Sequence, residues 1–228
     1  MLPMSRFLGC RLISAVGLSF VMLATWSAEA QTSRHDKARA EAEHRFLNAV
    51  AFVAEKTNHS VIIEYKTSGK FMLPNPVQIT QSASMLTAQT ITEMLASDSR
   101  FSVRADPDGT LMVIERGLPQ DVLNIRFRRI TLSEEQRFNP DLAMNAVLEA
   151  PEVKAYFKTH NIDLPVELGG FISPARPDLP HLPSVIENMT VLDAMKHIIA
   201  VFPHTGTYKE SIDSRGRRVV AFGFVDAD

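Results

Sequence analysis

The chain has 228 residues, 24 lysines and arginines against 26 aspartates and glutamates, and a formal charge of −2, a near-neutral balance that argues against a nucleic-acid-binding face as its main function. Its one cysteine, Cys10, and its one tryptophan, Trp26, both lie in the first thirty residues. Beyond them there is no thiol for a disulfide, an iron–sulfur cluster or a nucleophilic cysteine, so a hydrophobic core alone must hold the fold.

Met1–Arg11 is a short basic start carrying Arg6 and Arg11, Leu12–Trp26 is mostly apolar, and Ala28-Glu29-Ala30 is a small-x-small cleavage signature. That order is the pattern of a secretory signal peptide. The apolar stretch is shorter than the ~20 residues a helix needs to cross a bilayer. Residues 1–30 are therefore expected to be a signal peptide, cut between Ala30 and Gln31, with Ala28 and Ala30 as the small residues that the cleavage site requires. An uncleaved anchor is the alternative. Either would carry residues 31–228 to the periplasm of a bacterial cell, and cleavage leaves no stable membrane insertion. Cys10 precedes the apolar stretch, which is the wrong side for a lipid-anchor cysteine. Removing residues 1–30 leaves 22 basic against 25 acidic residues, a charge of −3.

Residues 36–58 carry Phe46, Leu47, Val50, Val53 and Ala54 at helical spacing. Ser60–Tyr65 reads as a β-branched strand, 67–76 as a loop, and Val77–Thr80 as a short strand. Thr87 can cap a second helix with Ala88, Ile91, Met94 and Leu95 on its apolar face. Phe101–Ala105 and Thr110–Glu115 read as a hairpin around Asp106-Pro107-Asp108-Gly109. Gly117–Pro119 marks a boundary.

Val122–Arg129 alternates, with Leu123, Ile125 and Phe127 to one side and Asn124, Arg126 and Arg128 to the other. The arginines form either an anion-binding row or a solvated strand face. Asp141–Asn161 is helical, interrupted at Pro151. Pro165–Leu168 reads as a short strand, the Pro-rich stretch 169–183 as a loop, and Val185-Ile186 as a strand. Thr190 caps the next helix with Asp193 as a shortened capping box, and Val191, Ala194, Met195, Ile198, Ile199 and Phe202 form its apolar face. Thr205–Ile212 and Arg218–Val225 read as a closing hairpin around Asp213-Ser214-Arg215-Gly216.

The two halves match. Thr87 aligns with Thr190, Ile91 with Ala194 and Leu95 with Ile198 at one spacing; Phe101 aligns with Tyr208, Asp106 with Asp213, Gly109 with Gly216 and Val113 with Val220 at another, four residues longer. This predicts two tandem copies of one α+β unit. The fold class expected is α+β, two small helix-on-sheet units of (β)αββαββ type, over residues 31–118 and 119–228.

With Leu47–Ala54, Asn58–Tyr65, the capped helices at Thr87 and Thr190, and the two closing hairpins, the mature chain resembles the short N-terminal domain of bacterial secretins and TonB-dependent receptors. That domain joins a βαβ piece to an αββ piece. The first copy departs from it in lacking a leading strand, and no channel-forming region follows the second. The resemblance implies a periplasmic docking module that contacts other envelope proteins, not a channel or receptor in itself.

No catalytic, cofactor-binding or metal-binding residue stands out. His35, His44, His59, His160, His181, His197 and His204 include no His-x-x-x-His pair, and there is no Gly-x-Ser-x-Gly elbow or phosphate-cradling loop. Glu64, Glu115 and Glu187 lie in or beside strands, but nothing in their spacing fixes a separation suited to acid–base work. The 169–183 loop carries Phe171, Ile172 and Leu179, and is either a partner-binding segment or a connection packed on its own domain. Two functions are expected from this: a non-enzymatic binding or adaptor module of the envelope, or a periplasmic hydrolase or cell-wall enzyme without a recognisable motif.

Overall fold

A computed structural model describes residues 37–38, 40–66, 93, 100–165, 180–202 and 205–225. The chain divides into two compact units, 1–43 and 44–228. Of the first, the described residues 37–38 and 40–43 are helical. Ala28, Ala30 and Gln31, the strand expected at Val77–Thr80, the residues Thr87, Ile91, Met94 and Leu95, positions 166–168 of the strand expected at Pro165–Leu168, and positions 169–179 of the Pro-rich stretch lie outside the described residues; Glu93, inside the expected second helix, is helical. No helix of the described residues is long and apolar enough to cross a membrane.

The second unit is a mixed α+β structure. Its elements begin with a helix over residues 44–57 (α1), then β1 (Val61–Lys66), the hairpin β2 (Phe101–Ala105) and β3 (Leu111–Glu115), and β4 (Arg126–Thr131). Three helices follow, α2 (Glu134–Arg137), α3 (Pro140–Leu148) and α4 (Pro151–His160), then β5 (Ile162–Asp163), β6 (Val185–Thr190), α5 (Val191–Val201), β7 (Thr205–Ile212) and β8 (Arg218–Val225).

The helix ends follow local chemistry. The Thr190 hydroxyl accepts from the Asp193 N–H at 3.1 Å while Asp193 accepts from the Thr190 N–H at 3.3 Å, the reciprocal box expected for α5. Ser133 and Gln136 form the same box on α2, a helix that sequence periodicity is too short to announce. Pro140 and Pro151 each open a helix, where a missing N–H costs nothing, so the interruption expected at Pro151 is a helix start.

Six strands form one sheet in the order β2-β3-β1-β7-β8-β5, and β4 and β6 form a separate antiparallel pair. The expectation of one sheet per half is corrected here. β1 from the first half runs parallel to β7 from the second, in register from Val61 with Thr205 to Lys66 with Glu210. The boundary expected at residues 117–119 is packed: Leu118 is buried, and Val122 and Leu123 just beyond it are fully buried. A linker between independent domains would expose these side chains.

Within the shared sheet a pattern occurs twice. β1 pairs parallel with β3, which pairs antiparallel with β2; β5 pairs parallel with β8, which pairs antiparallel with β7. The two hairpin turns are alike as well. Gly109 donates to the Asp106 carbonyl at 2.9 Å and Gly216 to the Asp213 carbonyl at 3.0 Å, both glycines at positive φ.

The sheet has two differently covered faces. Val61, Ile63 and Tyr65 of β1 join Leu111, Val113 and Phe101 against Phe46, Val50, Val53 and Ala54 of α1. Ile62 and Met112 point the other way, into a larger core with Met195, Ile198 and Ile199 of α5 and Met144 and Val147 of α3. The face of the first half that points away from α1 is thus buried in a core with helices of the second.

Candidate functional site

Two places concentrate polar chemistry: the seam between the halves and the outer side of β4.

At the seam, Lys196 of α5 reaches the first hairpin turn, with Nζ 2.5 Å from Asp106 and 3.3 Å from Asp108, only 16% of its side chain exposed. Burial opposes its charge, but the hydrogen bonds to the two aspartates outweigh it and raise the lysine above its ordinary value. On the same face of the sheet, Glu64 of β1 is fully buried, and its Oε2 accepts from Gln120 Nε2 at 2.6 Å. Its register partners are Ile114 and Tyr208. Burial pushes the Glu64 carboxyl up, against the lowering effect of the Gln120 bond.

Next to it lies a chain of polar partners. Tyr208 Oη donates to Glu210 at 2.5 Å, and Arg218 bonds both Glu210 and Asp121, the latter at 2.6 and 2.8 Å. Tyr156 of α4 donates to Asp121 at 2.9 Å. The bidentate Arg218 holds Asp121 down to about 2, while burial and then the Glu210 bond push the Tyr208 phenol well above its usual range. These groups tie the 117–125 connection, β7, β8 and α4 together through one another.

On β4 the expected alternation holds from Leu123 to Arg128: Leu123, Ile125 and Phe127 are buried and Asn124, Arg126 and Arg128 are exposed. The strand begins at Arg126, not Val122, because residues 121–124 form turns. Then Arg128 and Arg129 are both exposed before Ile130 is buried, opposite Asn188 at a φ of +56°. Their ion pairs are loose, Arg128 with Glu152 at 3.9 Å and Arg129 with Glu187 at 4.0 Å. Beside this strand an open groove of about 390 Å³ runs between Arg129, Ile130 and Thr131 and the side of α3, with Leu142, Asn145 and Ala146 on its far wall.

The other sequence candidates do not converge. Glu64 and Glu115 are on opposite faces of the sheet, Glu115 accepting from the Lys66 N–H at 2.7 Å, and Glu187 is on the two-stranded sheet. His59 and His160 each bond a nearby carbonyl, and His181 packs on Phe138. Among the described residues no three His, Cys, Asp or Glu side chains are grouped as ligands for a metal ion. Sequence reasoning missed the Arg218 network because its members are dispersed from Asp121 to Arg218. It also missed Lys196, which sits in a helix otherwise read for its apolar face. No family model, curated protein or solved structure matches the chain.

Proposed function

We propose that residues 31–228 are an exported binding or adaptor module of the bacterial envelope, acting in the periplasm through contacts with other envelope proteins and without catalysis of its own. In this reading the chain holds two copies of a unit like the short N-terminal domain of secretins and TonB-dependent receptors, fused edge to edge. The repeated strand pairing and the repeated hairpin turn support the duplication. The second half runs strand, helices, two strands, helix, two strands, which agrees with the (β)αββαββ order of the resemblance.

The observation that carries the function is the contrast between the two polar places. Half-buried charges at the seam face each other and link elements of the fold. The β4 side instead offers an open groove beside exposed arginines whose nearest carboxylates are at the limit of ion-pair distance. An open groove whose lining mixes Ile130, Leu142 and Ala146 with Thr131, Asn145 and the charged Arg129 suits an extended polypeptide better than a small reacting molecule.

The test is retention of a specific envelope protein by purified residues 31–228 compared with the double variant Arg129→Glu/Ala146→Arg. The account expects retention by the wild type and at least tenfold less by the variant. Turnover of a peptidoglycan or peptide substrate, abolished by changing one acidic residue, would contradict it.

A further inference from the structure

Glu64 is in an unusual position for a carboxyl group. It interrupts a run of apolar residues on β1, the strand at the centre of the seam, and is fully buried. Its Oε2 takes the Gln120 amide, while its Oε1 is buried with no hydrogen-bond partner. A carboxylate has two oxygens that both need donors, and an unpaired charged oxygen out of water is costly. A carboxylic acid carries its own proton on the second oxygen and needs no further donor there to avoid a buried charge.

The groups that face it give limited compensation. From β2 comes Arg104, exposed and held 3.2 Å from Asp106. From the hairpin turn comes Asp106, which is repulsive, and from α5 comes Lys196, already bonded to Asp106 and Asp108. From β7 come Tyr208, whose hydroxyl is given to Glu210, and Glu210 itself, bonded to Arg218. From the 117–125 connection come Gln120, the one side-chain donor bonded to Glu64 among the described residues, and Asp121, clamped by Arg218. From β3 the register partner is Ile114, which offers no charge.

We propose that Glu64 is a protonation-controlled latch on the β1–β7 seam: the neutral acid keeps the two halves in one sheet, and its ionisation loosens that pairing while leaving the β7–β8 hairpin of the second half intact. The inference does not depend on the binding function proposed above.

The direction of the pH effect follows from linkage. Burial raises the carboxyl above its ordinary value in the closed state only, so the closed state holds the proton more tightly than the open one. Its stabilisation is complete below the ordinary glutamate range and is lost as pH rises through the raised value. Within that window closure weakens by up to about tenfold per pH unit.

Hydrogen exchange on the intact protein, read as protection factors so that intrinsic amide chemistry cancels, tests the latch. In the wild type, amides of Val61–Tyr65 and Thr205–Lys209 should lose more than threefold protection between pH 4 and pH 8, while the β7–β8 pairs around Val220 and Phe222 keep theirs. In Glu64→Gln, an uncharged isostere, seam protection should be constant across the same range. A second variant, Gln120→Met, removes the donor that favours the charged form and should move the midpoint of the loss to higher pH. Wild-type seam protection constant within threefold overturns the proposal. So does a loss that persists in Glu64→Gln, one shared equally by β7–β8, or a midpoint that Gln120→Met leaves in place.

Discussion

The two halves of the described fold share one strand pattern and differ in how they bury it. The second half has a β-pair of its own, β4–β6, and its helices α3, α4 and α5 contribute to one contiguous core with its strands. Of the described helices, α1 alone joins the cluster built on the first half's strands, and Ile62 and Met112 go into the second half's core. The contrast shows how one half can bury one face of its strands under α1 and the other in its neighbour's core, the two joined by a parallel seam.

The predictions that sharpen this contrast run from the shared core outward. Ile198→Ala empties a fully buried position between the sheet and α3 and should cost about 2–5 kcal/mol in denaturant unfolding, lowering both halves together. Loss confined to the second half would show that the core is not shared. Arg218→Met leaves Glu210 and Asp121 without their cation. Since Asp121 is a third exposed, solvent relieves part of the penalty, and a loss of about 2–3 kcal/mol is expected.

Lys196→Met cuts the clamp on the first hairpin turn and should cost about 2 kcal/mol, with exchange rising around Asp106–Thr110 more than in β7–β8. Thr190→Ala removes one cap and should cost about 1 kcal/mol. Asp121 adds a pH effect opposite in sign to that of Glu64. Its carboxyl is held down to about 2 in the fold, so its contribution is present above the ordinary aspartate range and is lost as pH falls toward 2. Asp121→Asn should flatten the acid limb of the stability profile between about pH 4 and 2. An unchanged acid limb would mean that Arg218 does not hold it.

Local chemistry made much of this fold legible. Asp106-Pro107-Asp108-Gly109 and Asp213-Ser214-Arg215-Gly216 fix both hairpins, and Thr190 with Asp193 fixes the start of α5, because each feature is decided within a few residues. The Ser133-to-Gln136 box was equally local and went unread because α2 has no apolar period to draw attention to it. The β1–β7 seam was hidden for another reason. A parallel pairing between strands over a hundred residues apart leaves no turn between them, and its one trace is that Val61–Ile63, at the start of the strand, is apolar on both faces. Glu64 directly after that run was the readable sign of a special position, though its burial needed β7 and Gln120 in place to be seen. The arginines of β4 were legible as an exposed row, but the groove beside them depends on how α3 packs, which no strand pattern encodes.

The most direct test separates the halves. Residues 119–228 and residues 31–118, expressed apart, are followed by circular dichroism through urea unfolding. The account predicts a cooperative transition for 119–228 and none for 31–118, with the intact chain unfolding in one step. Two pieces that each unfold cooperatively, at midpoints reproduced unchanged in the full chain, would contradict it.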